Sequence, residues 1–205
     1  MNKLPVGFVL AVLSACSAGD SKRTELPRVA TSQEMEVIRA LVARYRAGEE
    51  ASGRYFKQKA RVMPVWSRML PLRVLRTDGL EQKHPSFDGF AVPLKVLVSY
   101  AENGHQAFSL QDSTQLLRQV RQTDILLDSL AFKPNNLLTP HLYKQPQVRQ
   151  KVHGYWFYRF SQPLFSPDGN AAYIQADIAG SRESYRLSRK HGQWTVTHDA
   201  LLWVE

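Results

Sequence analysis

Three runs in the last third of the chain alternate polar with apolar residues and are separated by glycine turns, a pattern that leaves little choice of fold. Ala172, Ile174, Ala176 and Ile178 alternate with Tyr173, Gln175 and Asp177. Gly180-Ser181 suits a type II′ turn, Glu183 to Arg189 alternates again, and Gly192-Gln193 leads into Trp194-Thr195-Val196-Thr197. Ahead of them, Ser166-Pro167-Asp168-Gly169 carries turn chemistry, with proline fixing φ and glycine accepting the left-handed region. Strands at this spacing, joined by tight turns, form an antiparallel meander.

The front of the chain reads as helix. Thr31-Ser32-Gln33-Glu34 is a capping-box pattern, in which the Thr oxygen and the Glu carboxylate each meet an orphan backbone donor. Met35, Ile38, Leu41, Val42 and Tyr45 follow at helical spacing, which predicts a helix over residues 32 to 47 that Gly48 or Gly53 interrupts. Between the prolines at 64 and 71, Val65 to Leu70 reads as a short helix or a packed loop. Asn103-Gly104 predicts a type I′ hairpin between Val96, Val98, Tyr100 and Phe108, Leu110. Asp112-Ser113-Thr114-Gln115 is a second capping pattern, and Leu116, Leu117, Val120, Leu127 and Leu130 give the helix behind it an apolar stripe. Residues 133 to 147, with Pro134, Pro140 and Pro146, read as a long ordered loop. The aromatic run Tyr155-Trp156-Phe157-Tyr158 is expected in the core, on both faces of a central strand. Together these elements predict an α+β domain, its N-terminal helices packed on one face of a C-terminal antiparallel β-meander.

The chain has 205 residues and one cysteine, so no intramolecular disulfide supports the fold. That cysteine has a distinctive setting. Lys3 supplies a positive start, Leu4 to Leu13 form an apolar run, and Leu13-Ser14-Ala15-Cys16 follows, an order that reads as an export signal. The run is too short to span a bilayer, which takes about 20 apolar residues. The tetrapeptide resembles the lipobox of bacterial lipoproteins. The resemblance implies that Cys16 is acylated on sulfur and becomes the mature N-terminus. Ser17, rather than aspartate, in the next position implies by the same resemblance an outer-membrane address with the domain in the periplasm. Residues 1–15 are then signal peptide, 16–30 a polar tether, and 31–205 one domain.

Tyr185-Arg186-Leu187 and Gly192-Gln193-Trp194-Thr195-Val196 resemble the closing hairpin of cystatin-like cones of the nuclear transport factor two-like kind. The resemblance implies a curved sheet wrapped round a helix, leaving a pocket, and transfers no catalytic residue.

His191, His198 and Asp199 invite a catalytic or metal reading. With Gly192-Gln193 as the turn, however, His191 pairs with Trp194 and Leu187 with His198, while His198 and Asp199 point to opposite faces. No HExxH, paired cysteines or clustered carboxylates point to a metal, no G-x-S-x-G points to a serine nucleophile, and no cofactor is expected. Charge is more telling. The mature chain carries 26 basic and 18 acidic side chains, formally +8, and Arg44 to Arg76 alone holds nine basic residues against two acids, a surplus of seven. Within it Arg54, Lys57, Lys59 and Arg61 lie among Tyr55, Phe56 and Trp66, a basic surface with aromatics that suits an anionic protein, lipid or glycan. Export argues against nucleic acid. A row formed by Arg182, Ser184, Arg186, Ser188 and Lys190 reads as the water-facing side of a half-covered sheet.

These observations point to a membrane-anchored periplasmic lipoprotein that works as a non-catalytic binding module, an envelope accessory or toxin inhibitor. The partner site is expected at Arg54, Lys57, Lys59, Arg61 and Trp66. The alternatives are a small-ligand carrier with a cone-shaped pocket and an envelope hydrolase.

Overall fold

The computed structural model describes residues 27–55, 63–75, 90–99, 108–120, 124–129, 132, 137–151, 157–178 and 180–204. It is an α+β fold, with a long N-terminal helix packed on a C-terminal antiparallel meander.

Helix α1 (Ser32–Tyr55) begins at the expected cap: the Thr31 amide donates to Glu34 Oε2 at 2.7 Å and the Glu34 amide to Thr31 Oγ1 at 3.3 Å. It runs through Gly48 and Gly53 rather than stopping there. Good helix formers around Gly48 (Ala47, Glu49, Glu50, Ala51) offset a glycine cost of about 1 kcal/mol. Met35, Val37, Ile38, Leu41 and Val42 are buried along one stripe, each worth about 1.5–3 kcal/mol of transfer free energy.

The meander consists of β10 (Ala171–Ile178), β11 (Ser181–Lys190) and β12 (Gln193–Val204), with β8 (Arg159–Phe160) and β9 (Leu164–Phe165) both pairing along the outer edge of β10. Ala172, Ile174 and Ala176 of β10 lie beside Leu187, Tyr185 and Glu183 of β11 and face α1. Of the aromatic run, Phe157 and Tyr158 are buried just before β8, and Tyr155 and Trp156 lie outside the described residues. Residues 158–162 lie between β10 on one side and residues 64–70 on the other, the Tyr158 amide donating to the Pro64 carbonyl at 2.9 Å and the Leu70 amide to the Phe160 carbonyl at 2.9 Å.

The last hairpin differs from its expected register by one residue. Lys190 pairs with Gln193 and Arg189 with Trp194, so His191 and Gly192 are the turn residues, with φ of 51° and 78°. Consecutive positive φ values make the type I′ turn whose twist suits a hairpin. Likewise Ile178 pairs with Ser181, which puts Gly180, φ 87°, in the turn and Ser181 on the strand. Two register shifts follow along β11 and β12, leaving Thr197 and Leu202 as extra residues on the outer strand. Bulges of this kind twist an edge away from further pairing.

The largest departure concerns the second face of the sheet, which is not open to water. Strands β4 (Leu72–Leu75) and β5 (Phe90–Pro93), paired in parallel, cover it with helices α2 (Leu94–Ser99) and α3 (Ser113–Gln119). Leu72, Phe90, Val92, Leu97, Phe108, Leu116 and Leu164 close over Tyr173 there. Val96 and Val98 lie in α2 rather than a hairpin strand, because Leu94, Leu97 and Val98 also satisfy helical spacing and bury together. Asn103-Gly104 lies outside the described residues.

The remaining segments join around a small mixed sheet. β1 (Arg28–Val29) pairs in parallel with β6 (Ile125–Leu126), which pairs antiparallel with β3 (Arg68–Met69). Three residues of the expected tether thus belong to the fold. Helix α3 ends at Gln119, and Leu127, expected on its stripe, is buried just beyond β6. β2 (Val65–Trp66) pairs in parallel with β7 (Leu137–Leu138), so Val65 to Leu70 is extended. The proline-rich stretch expected as a loop holds β7 and the short helices α4 (Pro140–Tyr143) and α5 (Pro146–Lys151). Proline opens both helices, where its missing N–H costs nothing, and Thr139 Oγ1 caps the first by accepting from the Leu142 amide at 3.2 Å.

Candidate functional site: an aromatic and basic face

Of the expected site residues, Trp66 is the one whose side chain is described. Arg54 lies within α1, but its side chain is outside the described residues, as are Lys57, Lys59, Arg61 and Cys16. Trp66 is half-buried at the end of β2. Its ring stacks on Phe157 at 5.4 Å between centroids and meets Tyr143 of α4 edge-on at 5.8 Å; Tyr143 and Phe157 lie 5.6 Å apart. The Arg149 guanidinium stands 6.0 Å from the Tyr143 centroid, within cation–π range. The backbone sets this cluster, since Trp66 donates its amide to the Tyr158 carbonyl at 2.8 Å while β2 pairs with β7, which leads directly into α4. The sequence singles out Trp66 and the run containing Phe157. Tyr143, in a segment read as loop, carries no periodicity that could have flagged it.

The structure separates the histidines. His191 is exposed in the turn, whereas His198 lies opposite Arg186 on the strand. Asp199 turns to the other face, where its carboxylate accepts from Arg44 of α1 at 3.0 Å. Among the described residues no group of three or more His, Cys, Asp or Glu is placed to hold a metal ion.

Two clusters escape sequence reading. The first is the buried polar layer on the second face. Arg182 and Arg186, expected in water, are 2% and 7% exposed, and Ser184 between them is buried. Lys190, the last of that row, is exposed. Asp177 gathers two guanidiniums: Arg182 donates Nε to Oδ1 at 2.5 Å and Nη2 to Oδ2 at 3.0 Å, and Arg159 Nε donates to Oδ2 at 3.0 Å. Arg182 also lies 4.4 Å from the Phe90 centroid. Arg186 Nη2 donates to the Val96 carbonyl at 2.9 Å, tying the sheet to α2. Gln175, 1% exposed, donates to the Ala91 carbonyl and to the Tyr173 hydroxyl. Burial pushes the Tyr173 phenol up to about 12, despite the opposing pull of Gln175, Ser184 and the two arginines.

The second cluster joins α1 to the other face of the sheet. Tyr45 stacks on Tyr158 at 4.9 Å and meets Tyr185 edge-on at 5.8 Å, donating its hydroxyl to that of Tyr185 at 2.5 Å. Tyr185 donates to Glu183, and Tyr158 to Glu49. Burial raises the Glu49 carboxyl above its usual range, although the Tyr158 hydroxyl and the Arg46 charge pull it back. Burial and the nearby Asp199 raise Glu183, opposed by Arg44. Burial also raises the phenols of Tyr45 and Tyr158. Tyr45 with Glu49 one helical turn on, and Glu183 with Tyr185 on one strand face, are legible spacings. Their meeting is a property of the fold.

In comparisons with known proteins, no family model matches the chain, and neither a curated protein nor a solved structure matches it.

Proposed function

We propose that this is a lipid-anchored envelope protein whose folded domain binds an anionic partner without catalysing a reaction. The anchor rests on Leu13-Ser14-Ala15-Cys16 behind a short apolar run. The outer-membrane address and the periplasmic setting rest on the same resemblance, with Ser17 after the cysteine. The observation that carries the binding role is the Trp66–Tyr143–Phe157 cluster with Arg149 beside it, within a basic stretch of the chain. Half-buried tryptophan and tyrosine rings held by their neighbours, with an exposed arginine beside them, have the composition of binding hot spots, because the rings bury much surface for little lost freedom.

Two measurements test the reading. Cys16→Ser should release the protein from the membrane fraction or leave it unprocessed; unchanged fractionation with no acylated N-terminal peptide by mass spectrometry removes the anchor. Gln at Arg54, Lys57, Lys59 and Arg61 should weaken capture of the partner from envelope extracts, most visibly at low salt. The hydrolase alternative has one observation in its favour, the carboxyls of Glu49 and Glu183 raised by burial, since a carboxyl that keeps its proton above its usual range is what a general acid needs. Turnover of peptidoglycan that disappears in Glu49→Gln and Glu183→Gln would replace the binding module with an enzyme.

A further inference from the structure

Resting on the binding-module reading, we infer that the face built by α4, α5 and Trp66 is an interfacial surface that lies against anionic bilayer lipid. Two stretches of the chain hold no aspartate or glutamate at all. Residues 51–77 carry seven Lys and Arg, and residues 129–167 carry five, which together are twelve of the chain's 27 in about a third of its length. The fold brings these distant stretches side by side. β2 belongs to the first and β7 to the second, with Val65 opposite Leu137 and Trp66 opposite Leu138, and Tyr143 and Phe157 of the second close on Trp66 of the first. Among the described residues, Arg68 is answered by Asp124 at 3.1 Å and Arg159 by Asp177. Lys144 and Arg149 are exposed on the face itself.

Lipid fits this face better than a soluble polyanion does. Leu142, 37% exposed, adjoins Tyr143 in α4, whose half-exposed ring meets that of Trp66, and the exposed Lys144 follows directly. A polyanion in solution is satisfied by the cations and gains nothing from an exposed leucine. Cations flanking tyrosine, tryptophan and leucine are instead the mixture that settles at the boundary of headgroups and acyl chains. Reach favours lipid over a free acidic protein. From an acylated Cys16 only eleven residues precede Arg28 of β1, at most about 40 Å of extended chain, so the bilayer is always close by.

Co-sedimentation with vesicles tests this, using the full chain carrying Cys16→Ser so that the lipid anchor does not contribute. The readout is the ratio of binding to phosphatidylglycerol–phosphatidylethanolamine vesicles over phosphatidylcholine vesicles, because the apolar run at residues 4–13 favours both alike. The parent should prefer the anionic vesicles and lose that preference towards about 1 M salt, where the Debye length is about 3 Å. Lys144→Gln with Arg149→Gln should lower the ratio about 25-fold, about fivefold per cation. Leu142→Ser should weaken anionic-vesicle binding several-fold while leaving its salt dependence intact, and thermal unfolding of each variant shows that the domain is still folded. A folded double variant with the parent's ratio overturns the proposal. So does a parent that ignores vesicles but binds a soluble polyphosphate or an acidic protein through this face. The Arg54, Lys57, Lys59, Arg61 variant, run in parallel, separates the two readings. If it alone loses the preference, the binding-module reading stands and the lipid face falls; if both variants bind envelope partners and vesicles as the parent does, both readings fall.

Discussion

Asp177→Asn is the sharpest perturbation of this fold, because one carboxylate holds a cation that has almost no access to water. Arg182 is 2% exposed and donates twice to Asp177, which is 14% exposed and also receives Arg159. Removing one partner of a buried pair leaves the other charge uncompensated, at a cost of about 3–5 kcal/mol. In a domain of this size, 1 kcal/mol moves the unfolding midpoint by about 2–4 °C. The expected loss is therefore roughly 6–20 °C, a large part of a total stability of about 5–15 kcal/mol. Arg182→Met should cost less, because Asp177 keeps Arg159 and the methionine can still pack on Phe90. The double variant Asp177→Asn, Arg182→Met should recover much of the loss, giving a coupling energy of about 1–3 kcal/mol in the cycle. Thermal and urea unfolding followed by circular dichroism would measure all four proteins. A change under about 0.5 kcal/mol for Asp177→Asn would refute the reasoning, since an exposed surface pair behaves that way; the second face of the sheet would then be open to water, as its alternating pattern suggests.

Gly48 is exposed inside α1 with nothing within 4 Å of an added Cβ, so Gly48→Ala should raise stability by about 0.5–1 kcal/mol in urea unfolding. Glu34 is buried, which alone would raise its carboxyl, but Arg28 and the Thr31 amide outweigh burial and hold it below its usual range. Its contribution is therefore present above the unfolded-state value of about 4.3 and lost as pH falls through the folded value, and Arg28→Ala should flatten that acid limb of the stability profile. Glu49 and Glu183 act with the opposite sign. Their raised carboxyls favour the fold below about 4.3 and cost stability as pH rises through their folded values, so Glu49→Gln should remove part of the decline seen in unfolding midpoints between acid and neutral pH. Gly192 adopts φ 78° in the final turn, where Gly192→Ala should cost about 1 kcal/mol, while His191→Asn should be neutral or mildly stabilising because Asn-Gly is the favoured type I′ pair.

What the sequence reveals is what local chemistry controls. The α1 cap is legible in Thr31 and Glu34, and the meander in the alternation of β10 and β11, because capping and a period of two are set within a few residues. The turns are legible to within one residue: Gly192 serves whether it is the first or the second turn position, so composition alone does not choose the register. Val96 and Val98 show the limit of periodicity, since in a segment as short as Leu94–Ser99 the apolar positions satisfy strand and helix alike. Burial of Arg182 and Arg186 is a different matter. A polar residue at every second position describes a wet face and a covered polar layer equally well, and only the arrival of β4, β5 and α2 from elsewhere in the chain decides between them. Trp66 can be singled out in its basic setting, but Tyr143 joins it through a parallel pairing of two-residue strands that has no sequence signature.

The entry of the chain through β1 has a mechanical consequence. Arg28 and Val29 lie parallel to Ile125 and Leu126, Ala30 donates its amide to the Leu126 carbonyl at 2.8 Å, and Arg28 clamps the first turn of α1 through Glu34. A pull on the N-terminus runs along β1, so it loads these few bonds in shear before any force reaches the long ladders of β10, β11 and β12. The N-terminal strand is then a fuse: it should detach at low force and extend the chain by a few residues while the meander stays folded. Force spectroscopy from a handle at residue 17 should record that small step before the main rupture, and a single rupture without it would show that the strand and the sheet fail together.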